Sequence, residues 1–150
     1  MKKHYSLIIA LTFAGIAGLS SCKQNDDPPP PTNTEKISSL PWKFSAATAG
    51  GTDVSAAPQL TCFKDNIITF TALGAGSINE GAVVCAPSTA GSFTWTFQSA
   101  ETQLNIVSAN PLIPGGTNTF TIVSLTTSAL VLSQSVNIGT PTVVTFTFVH

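Results

Sequence analysis

Few side chains in this sequence are able to do chemistry, and their spacing argues against a catalytic site. His150 is the only His beyond the first apolar segment, so we expect no Ser-His or Cys-His pair. Asp53, Asp65, Glu80 and Glu101 lie in or beside predicted loops, and none is spaced as a paired acid and base. We expect each to be a solvated turn carboxylate. The sequence therefore predicts a protein that is not an enzyme and that uses no metal or cofactor.

Charge and composition narrow the classes of partner. Charged residues make up 9% of the chain, and Arg is absent. Nucleic-acid binding needs clustered Lys and Arg, so we expect no nucleic-acid partner. The high content of Thr and Ser beside apolar residues favours an all-β domain, because β-branched residues suit a pleated, half-buried surface.

The N-terminal segment has the layout of a secretory signal peptide, with Lys2 and Lys3 before an apolar run over residues 7–19. That run is shorter than the ~20 residues of a transmembrane helix. Leu19-Ser20-Ser21-Cys22 resembles the lipobox of bacterial lipoproteins. The resemblance implies that residues 1–21 are removed and that acyl chains on Cys22 anchor the protein in a membrane. The alternative is an uncleaved membrane anchor.

Residues 22–39 are expected to form the lipidated Cys and a flexible linker. Pro28-Pro29-Pro30-Pro31 favours an extended polyproline II segment, flanked by polar residues that have nothing to bury. Asp26-Asp27 is similar to export signals that send some Bacteroidetes lipoproteins to the cell surface. The resemblance implies an outer-membrane lipoprotein of the cell envelope that is exposed at the surface. A solvated linker with no signal is the alternative.

Cys62 and Cys85 are the two cysteines that remain once Cys22 is acylated. In a secreted protein, an even pair predicts a structural disulfide. A metal site would need more ligands, and a redox role would favour closer spacing.

Residues 40–150 are predicted to form one domain of eight antiparallel strands. Apolar and polar residues alternate with period two, and Gly, Pro and Asn interrupt the pattern. Short sequential connections favour an up-and-down barrel, with a β-sandwich as the alternative. The predicted strands are 42–49, 68–72, 77–85, 92–97, 103–108, 120–125, 129–135 and 144–148.

The same residues resemble the small lipocalin-like lipoproteins of Bacteroidetes. The most specific part is Cys62-Phe63-Lys64-Asp65-Asn66, followed by Gly81 and Cys85 after a short hairpin. Trp42-Lys43 and Gly91-Ser92-Phe93-Thr94-Trp95 also match, although the Gly of the larger lipocalins' Gly-x-Trp motif is missing. The resemblance implies a lipocalin-like barrel that binds a small hydrophobic ligand.

Seven aromatic residues are the candidates for lining a ligand pocket inside the barrel, since ligand sites are mostly apolar. The same side chains could instead fill the core, because an eight-stranded barrel is just wide enough for either. The alternative function is a structural or interaction module that docks another envelope protein or a glycan. The candidate residues are Trp42, Phe70, Phe93, Trp95, Phe97, Phe146 and Phe148.

Overall fold

The structure, a computed structural model, describes residues 27–137 and 139–150. The predicted signal peptide, its apolar run and Cys22 all lie outside the described residues. Within the described part of the chain, no helix is long and apolar enough to cross a membrane.

Eight strands close into an antiparallel up-and-down barrel. Each barrel strand pairs with the next barrel strand along the chain. The first barrel strand, β1, also pairs with the last, β9, which closes the sheet. The short β2 pairs antiparallel with the end of β1 and is not one of the eight barrel strands. The predicted barrel is confirmed, and the sandwich alternative is not. The strands are β1 (Trp42–Ala49), β2 (Thr52–Asp53), β3 (Ile67–Phe70), β4 (Ala75–Asn79), β5 (Gly91–Gln98), β6 (Gln103–Val107), β7 (Thr119–Leu125), β8 (Ala129–Asn137) and β9 (Pro141–Val149).

The alternation in sequence decides which side chains enter the barrel. Successive residues of a strand point to opposite faces, so the apolar set of each strand faces inward together. On β9, Val144, Phe146 and Phe148 are fully buried, whereas Thr145 and Thr147 lie half-buried on the outer face. Removal of these apolar side chains from water is the main source of stability.

One end of the barrel, which we call the helix end, carries the turns 71–74, 99–102 and 126–128. It is covered by α1 (Asn33–Ser38). Ile37 is fully buried there, and its carbonyl accepts a hydrogen bond of 2.8 Å from the Trp42 indole N–H. The expected linker over residues 22–39 did not include this helix, so packed structure begins at Asn33 rather than at residue 40.

The opposite end, which we call the stapled end, is covered by three segments, 54–66, 80–90 and 108–118. The first contains a 3₁₀ helix, Pro58–Phe63, that the sequence analysis did not predict. Phe63 from the first segment and Leu112 and Ile113 from the third are buried in the core. Both ends of the barrel are therefore closed by the chain itself.

The predicted disulfide is present and joins two of these segments. Cys62 and Cys85 have an S–S distance of 1.92 Å and Cα atoms 5.0 Å apart. A loop of this size corresponds to about 3 kcal/mol of stabilisation in the chain-entropy model. The predicted strand 77–85 is wrong from residue 80 onward, because β4 ends at Asn79 and Glu80 leaves the sheet to organise the next segment.

Candidate functional site

The seven candidate aromatics lie inside the barrel, where they belong to one hydrophobic core or pack against it. Phe97 is half-buried and the other six are buried. Towards the helix end, the Phe70 ring lies 5.2 Å from Phe93 and 5.6 Å from Trp95, and Trp95 lies 5.2 Å from Phe97. These distances between ring centroids are those of direct edge-to-face contact. No ligand fits between these pairs as they stand.

A second aromatic group contains two rings that sequence reasoning missed. Phe63 and Phe44 lie 5.9 and 6.3 Å from Phe148. Phe63 belongs to the stapled end, so it enters the barrel only because the disulfide segment folds over the opening. The Trp42 ring lies 3.9 Å from the His150 ring, which places that His in a packing contact. These contacts favour a filled core over an open pocket.

Gln134 is the exception in this apolar interior. It lies on β8 between inward-facing Leu132 and Val136 and is buried. Its side-chain carbonyl accepts hydrogen bonds of 2.7 and 3.2 Å from the Thr117 backbone N–H and hydroxyl. Its amide nitrogen has no partner among the described residues. A buried unpaired donor is costly, which makes the Gln134 amide the one polar side-chain group of the barrel interior that lacks a partner among the described residues.

Glu80 organises the stapled end, which corrects its expected role as a solvated turn carboxylate. It is only 4% exposed. Its carboxylate accepts hydrogen bonds from the Ser88 hydroxyl at 2.6 Å and from the Thr89 N–H and hydroxyl at 2.7 and 2.9 Å. The Cys85 N–H donates a fourth, at 3.3 Å. One side chain thereby fixes the segment that carries the disulfide.

The charge on Glu80 is stabilised where it lies. Burial raises the pKa of this carboxyl, but the hydrogen bonds from Ser88, Thr89 and Cys85 together outweigh burial. They hold the pKa of Glu80 below its ordinary value of 4.5. The group is therefore a structural anion at neutral pH, unlike a catalytic acid, whose pKa would be raised.

Asp65 fixes the other side of the same segment. Its carboxylate accepts hydrogen bonds of 2.7 and 3.0 Å from the Ala82 and Val83 N–H groups. Gly81 makes this contact possible, because a Cβ there would lie 2.6 Å from an Asp65 oxygen and its φ is +67°. Asn66 is buried. With its amide nitrogen turned towards the backbone, it donates hydrogen bonds to the main-chain carbonyl oxygens of Glu80 at 3.3 Å and Cys62 at 3.2 Å.

The residues that carry the resemblance to lipocalin-like lipoproteins therefore have a shared structural task. Asp65, Asn66, Gly81 and the two cysteines all hold the stapled end together. The signal for this network is visible in the sequence as a Cys-bounded stretch that contains Asp65, Glu80 and Gly81, with Ser88-Thr89 shortly after the second Cys.

Two clefts open on the outer surface near this network. The first, which we call the stapled-end groove, has a volume of about 220 Å³ and lies between segments 80–90 and 108–118. Its lining is apolar and rigid, with Pro87, Pro111 and Pro114 beside Thr89. Asn110 joins its two walls by a hydrogen bond of 2.7 Å to the Ser88 carbonyl.

The second cleft, which we call the wall cleft, has a volume of about 310 Å³ and lies where β1 and β3 separate. It combines apolar and charged side chains, and it does not include any of the seven candidate ligand residues. Its lining residues are Lys43, Phe44, Lys64, Asp65, Asn66 and Ile67.

No three His, Cys, Asp or Glu side chains of the described residues come together in a way that could hold a metal ion. A scan of the sequence against protein-family models finds no match, and a search of the curated proteins finds none that matches.

Proposed function

We propose that this protein is a non-enzymatic interaction module of the bacterial cell envelope, anchored in the outer membrane by acyl chains on Cys22. In this proposal it belongs with the small lipocalin-like lipoproteins and docks another envelope protein or a glycan. The observation that carries the proposal is the position of α1. Because α1 packs on the helix end, the tether leaves the barrel there, and the stapled end points away from the membrane.

The length of the tether supports the same arrangement. Nine residues, 23–31, lie between Cys22 and Thr32, the N-cap of α1, so the tether has ten residue-to-residue steps. A polyproline-rich segment rises about 3.1 Å per residue, so the tether spans roughly 30 Å. That length holds the domain near the lipid surface while leaving the stapled-end groove accessible. The proline lining suits docking, because rigid side chains lose little entropy on binding.

Anchoring and docking are tested separately. Cys22→Ser should abolish metabolic labelling with palmitate and move the protein out of the membrane fraction, whereas Cys62→Ser should leave labelling unchanged. Unchanged labelling in Cys22→Ser would remove the anchoring proposal.

For docking, a photo-crosslinking residue at Pro111 should give one discrete adduct on intact cells, and one at Val123 on the barrel side should give none. The absence of an adduct at Pro111 would contradict docking through the stapled end.

The second candidate function is binding of a small hydrophobic ligand inside the barrel, and the unpaired Gln134 amide favours it. A ligand carbonyl at that position would satisfy the donor. Since the seven aromatics pack together, such a ligand would enter only after segment 108–118 and its neighbours move. Native mass spectrometry of the protein isolated from membranes should then show a bound compound that Gln134→Leu loses. A ligand-free spectrum would contradict this candidate.

A further inference from the structure

We propose that the wall cleft is a binding site for a small amphiphilic anion, with a carboxylate at Lys43 and Lys64 and an apolar chain on Phe44 and Ile67. This site is separate from the barrel interior and from the stapled-end groove. It also does not depend on the tether, so it goes beyond both functions proposed above.

The wall cleft exists because the barrel wall is incomplete at this position. β1 and β3 form just two residue pairs, Trp42 with Ile68 and Lys43 with Ile67. Further along β1, the edge is completed by another segment, whose Ser55 hydroxyl accepts from the Ala47 N–H at 2.8 Å. The gap between these two contacts exposes part of Phe44, a ring that otherwise packs 5.6 Å from Phe63 in the core. The cleft floor is therefore apolar and continuous with the core.

Positive charge is concentrated around this apolar floor, in a chain that has few lysines. The described residues include three lysines, and two of them, Lys43 and Lys64, line the wall cleft. The third, Lys36, donates to the Asn33 side chain at 3.1 Å, and this is the only hydrogen bond of a lysine side chain within the described residues. Two uncommitted ammonium groups beside an apolar floor match an anion that carries an apolar body.

The neighbouring carboxylates weaken this preference for an anion without removing it, because each already accepts hydrogen bonds from backbone N–H groups. Asp65 lines the cleft, but one of its oxygens already accepts from two N–H groups. Asp53 accepts a hydrogen bond of 2.8 Å from the Ser55 N–H, and Lys64 acts on it electrostatically. An incoming carboxylate therefore competes with Asp53 and Asp65 for the lysines, which predicts weak and salt-sensitive binding.

The test uses the protein isolated from membranes, in nanodiscs of zwitterionic phosphatidylcholine, with amide NMR spectra as the readout. Octanoate is the amphiphilic probe, octanol has the same chain without the charge, and acetate has the charge without the chain. We expect saturable shifts at the amides of Lys43, Lys64 and Ile67 with octanoate, and shifts less than about a tenth as large with octanol or acetate.

Variants identify the charged groups. The double substitution Lys43→Gln with Lys64→Gln should weaken octanoate binding about tenfold, since two exposed ion pairs are lost. Lys36→Gln is the matched control and should leave binding unchanged. Equal shifts with octanol would show an apolar surface without anion selectivity, and equal shifts with acetate would show ion binding alone. Either result, or no shift at these amides with octanoate, would overturn the proposal.

Discussion

Glu80→Gln keeps the size of the side chain and removes the charge that four donors face. A Gln carbonyl can still accept from the Cys85 and Thr89 groups, but its amide nitrogen cannot accept from the Ser88 hydroxyl, and the remaining hydrogen bonds are weaker without the charge. We expect a loss of about 2 kcal/mol in the free energy of unfolding, measured by urea denaturation. Glu101→Gln is the control, because Glu101 is exposed and accepts one hydrogen bond, from Asn33 at 2.8 Å. An equal loss in both variants would contradict the role of Glu80.

The same carboxylate makes stability depend on pH in a defined direction. Because hydrogen bonds lower the pKa of Glu80 in the folded state, its contribution is fully present above the ordinary pKa of 4.5. It is lost as pH falls through the lowered folded pKa. The stability difference between the native protein and Glu80→Gln should therefore shrink below pH 4.5. A difference that stays constant or grows on acidification would contradict this account.

Gly81→Ala tests the contact with Asp65. A Cβ at this position meets the Asp65 carboxylate at 2.6 Å, and φ is +67°. Gly50 also has a positive φ, +56°, but no atom lies within 4 Å of a Cβ built there. Both substitutions should therefore cost the ~1 kcal/mol of a left-handed conformation, and Gly81→Ala should cost about 1–2 kcal/mol more. Equal unfolding free energies for the two variants would show that Asp65 does not depend on Gly81.

For single residues, sequence alone predicted most of the buried aromatic side chains of the strands and missed the buried residues of the irregular segments, both apolar and polar. Trp42, Phe70 and Phe146 follow from alternation, because a strand position determines the face. Glu80 does not, because its burial requires a loop to close around it through Ser88 and Thr89. Residue type in a loop carries no periodicity, so the folded segment was needed to separate Glu80 from exposed carboxylates such as Glu101.

The short helix α1 is the element whose role changes most between sequence and structure. Its start is marked by a capping box, in which Thr32 accepts from the Glu35 N–H at 3.2 Å and Glu35 accepts from the Thr32 N–H at 2.7 Å. That Thr-x-x-Glu signal is present in the sequence. The Pro-rich and polar composition around it favoured a linker instead, and Ile37 was the single residue with apolar surface to bury.

Ile37→Ala tests whether α1 belongs to the folded domain. Ile37 is fully buried under the helix end and Leu40 is 56% exposed. Truncation of Ile37 should cost about 2–4 kcal/mol in unfolding free energy, while Leu40→Ala should cost less than about 0.5 kcal/mol. A small effect of Ile37→Ala would instead support a domain that begins at residue 40, as composition suggested.

For the whole molecule, the topology was predictable and the closure of its ends was not. Eight alternating strands with short turns leave few ways to connect, so the up-and-down barrel followed from the pattern. The wall cleft and the stapled-end groove arise where strands stop pairing and segments of irregular structure meet. Such surfaces depend on contacts between distant parts of the chain. One example is the hydrogen bond of 3.1 Å that the Asn137 N–H donates to the Gly115 carbonyl.

In the proposed orientation, the helix end of the barrel lies towards the membrane and the stapled end faces away from it. Leu73 is 97% exposed in a turn of the helix end, and Val84 is 65% exposed at the stapled end. The two ends are separated by roughly 20 Å, the height of a nine-residue strand tilted in a barrel. The most direct test measures the depth of these two positions relative to lipid.

A fluorescent unnatural amino acid replaces Leu73 or Val84 in the membrane-anchored protein, and vesicle lipids with spin-labelled headgroups act as quenchers. We predict stronger quenching at position 73 than at position 84. Equal quenching, or stronger quenching at position 84, would contradict the proposed orientation.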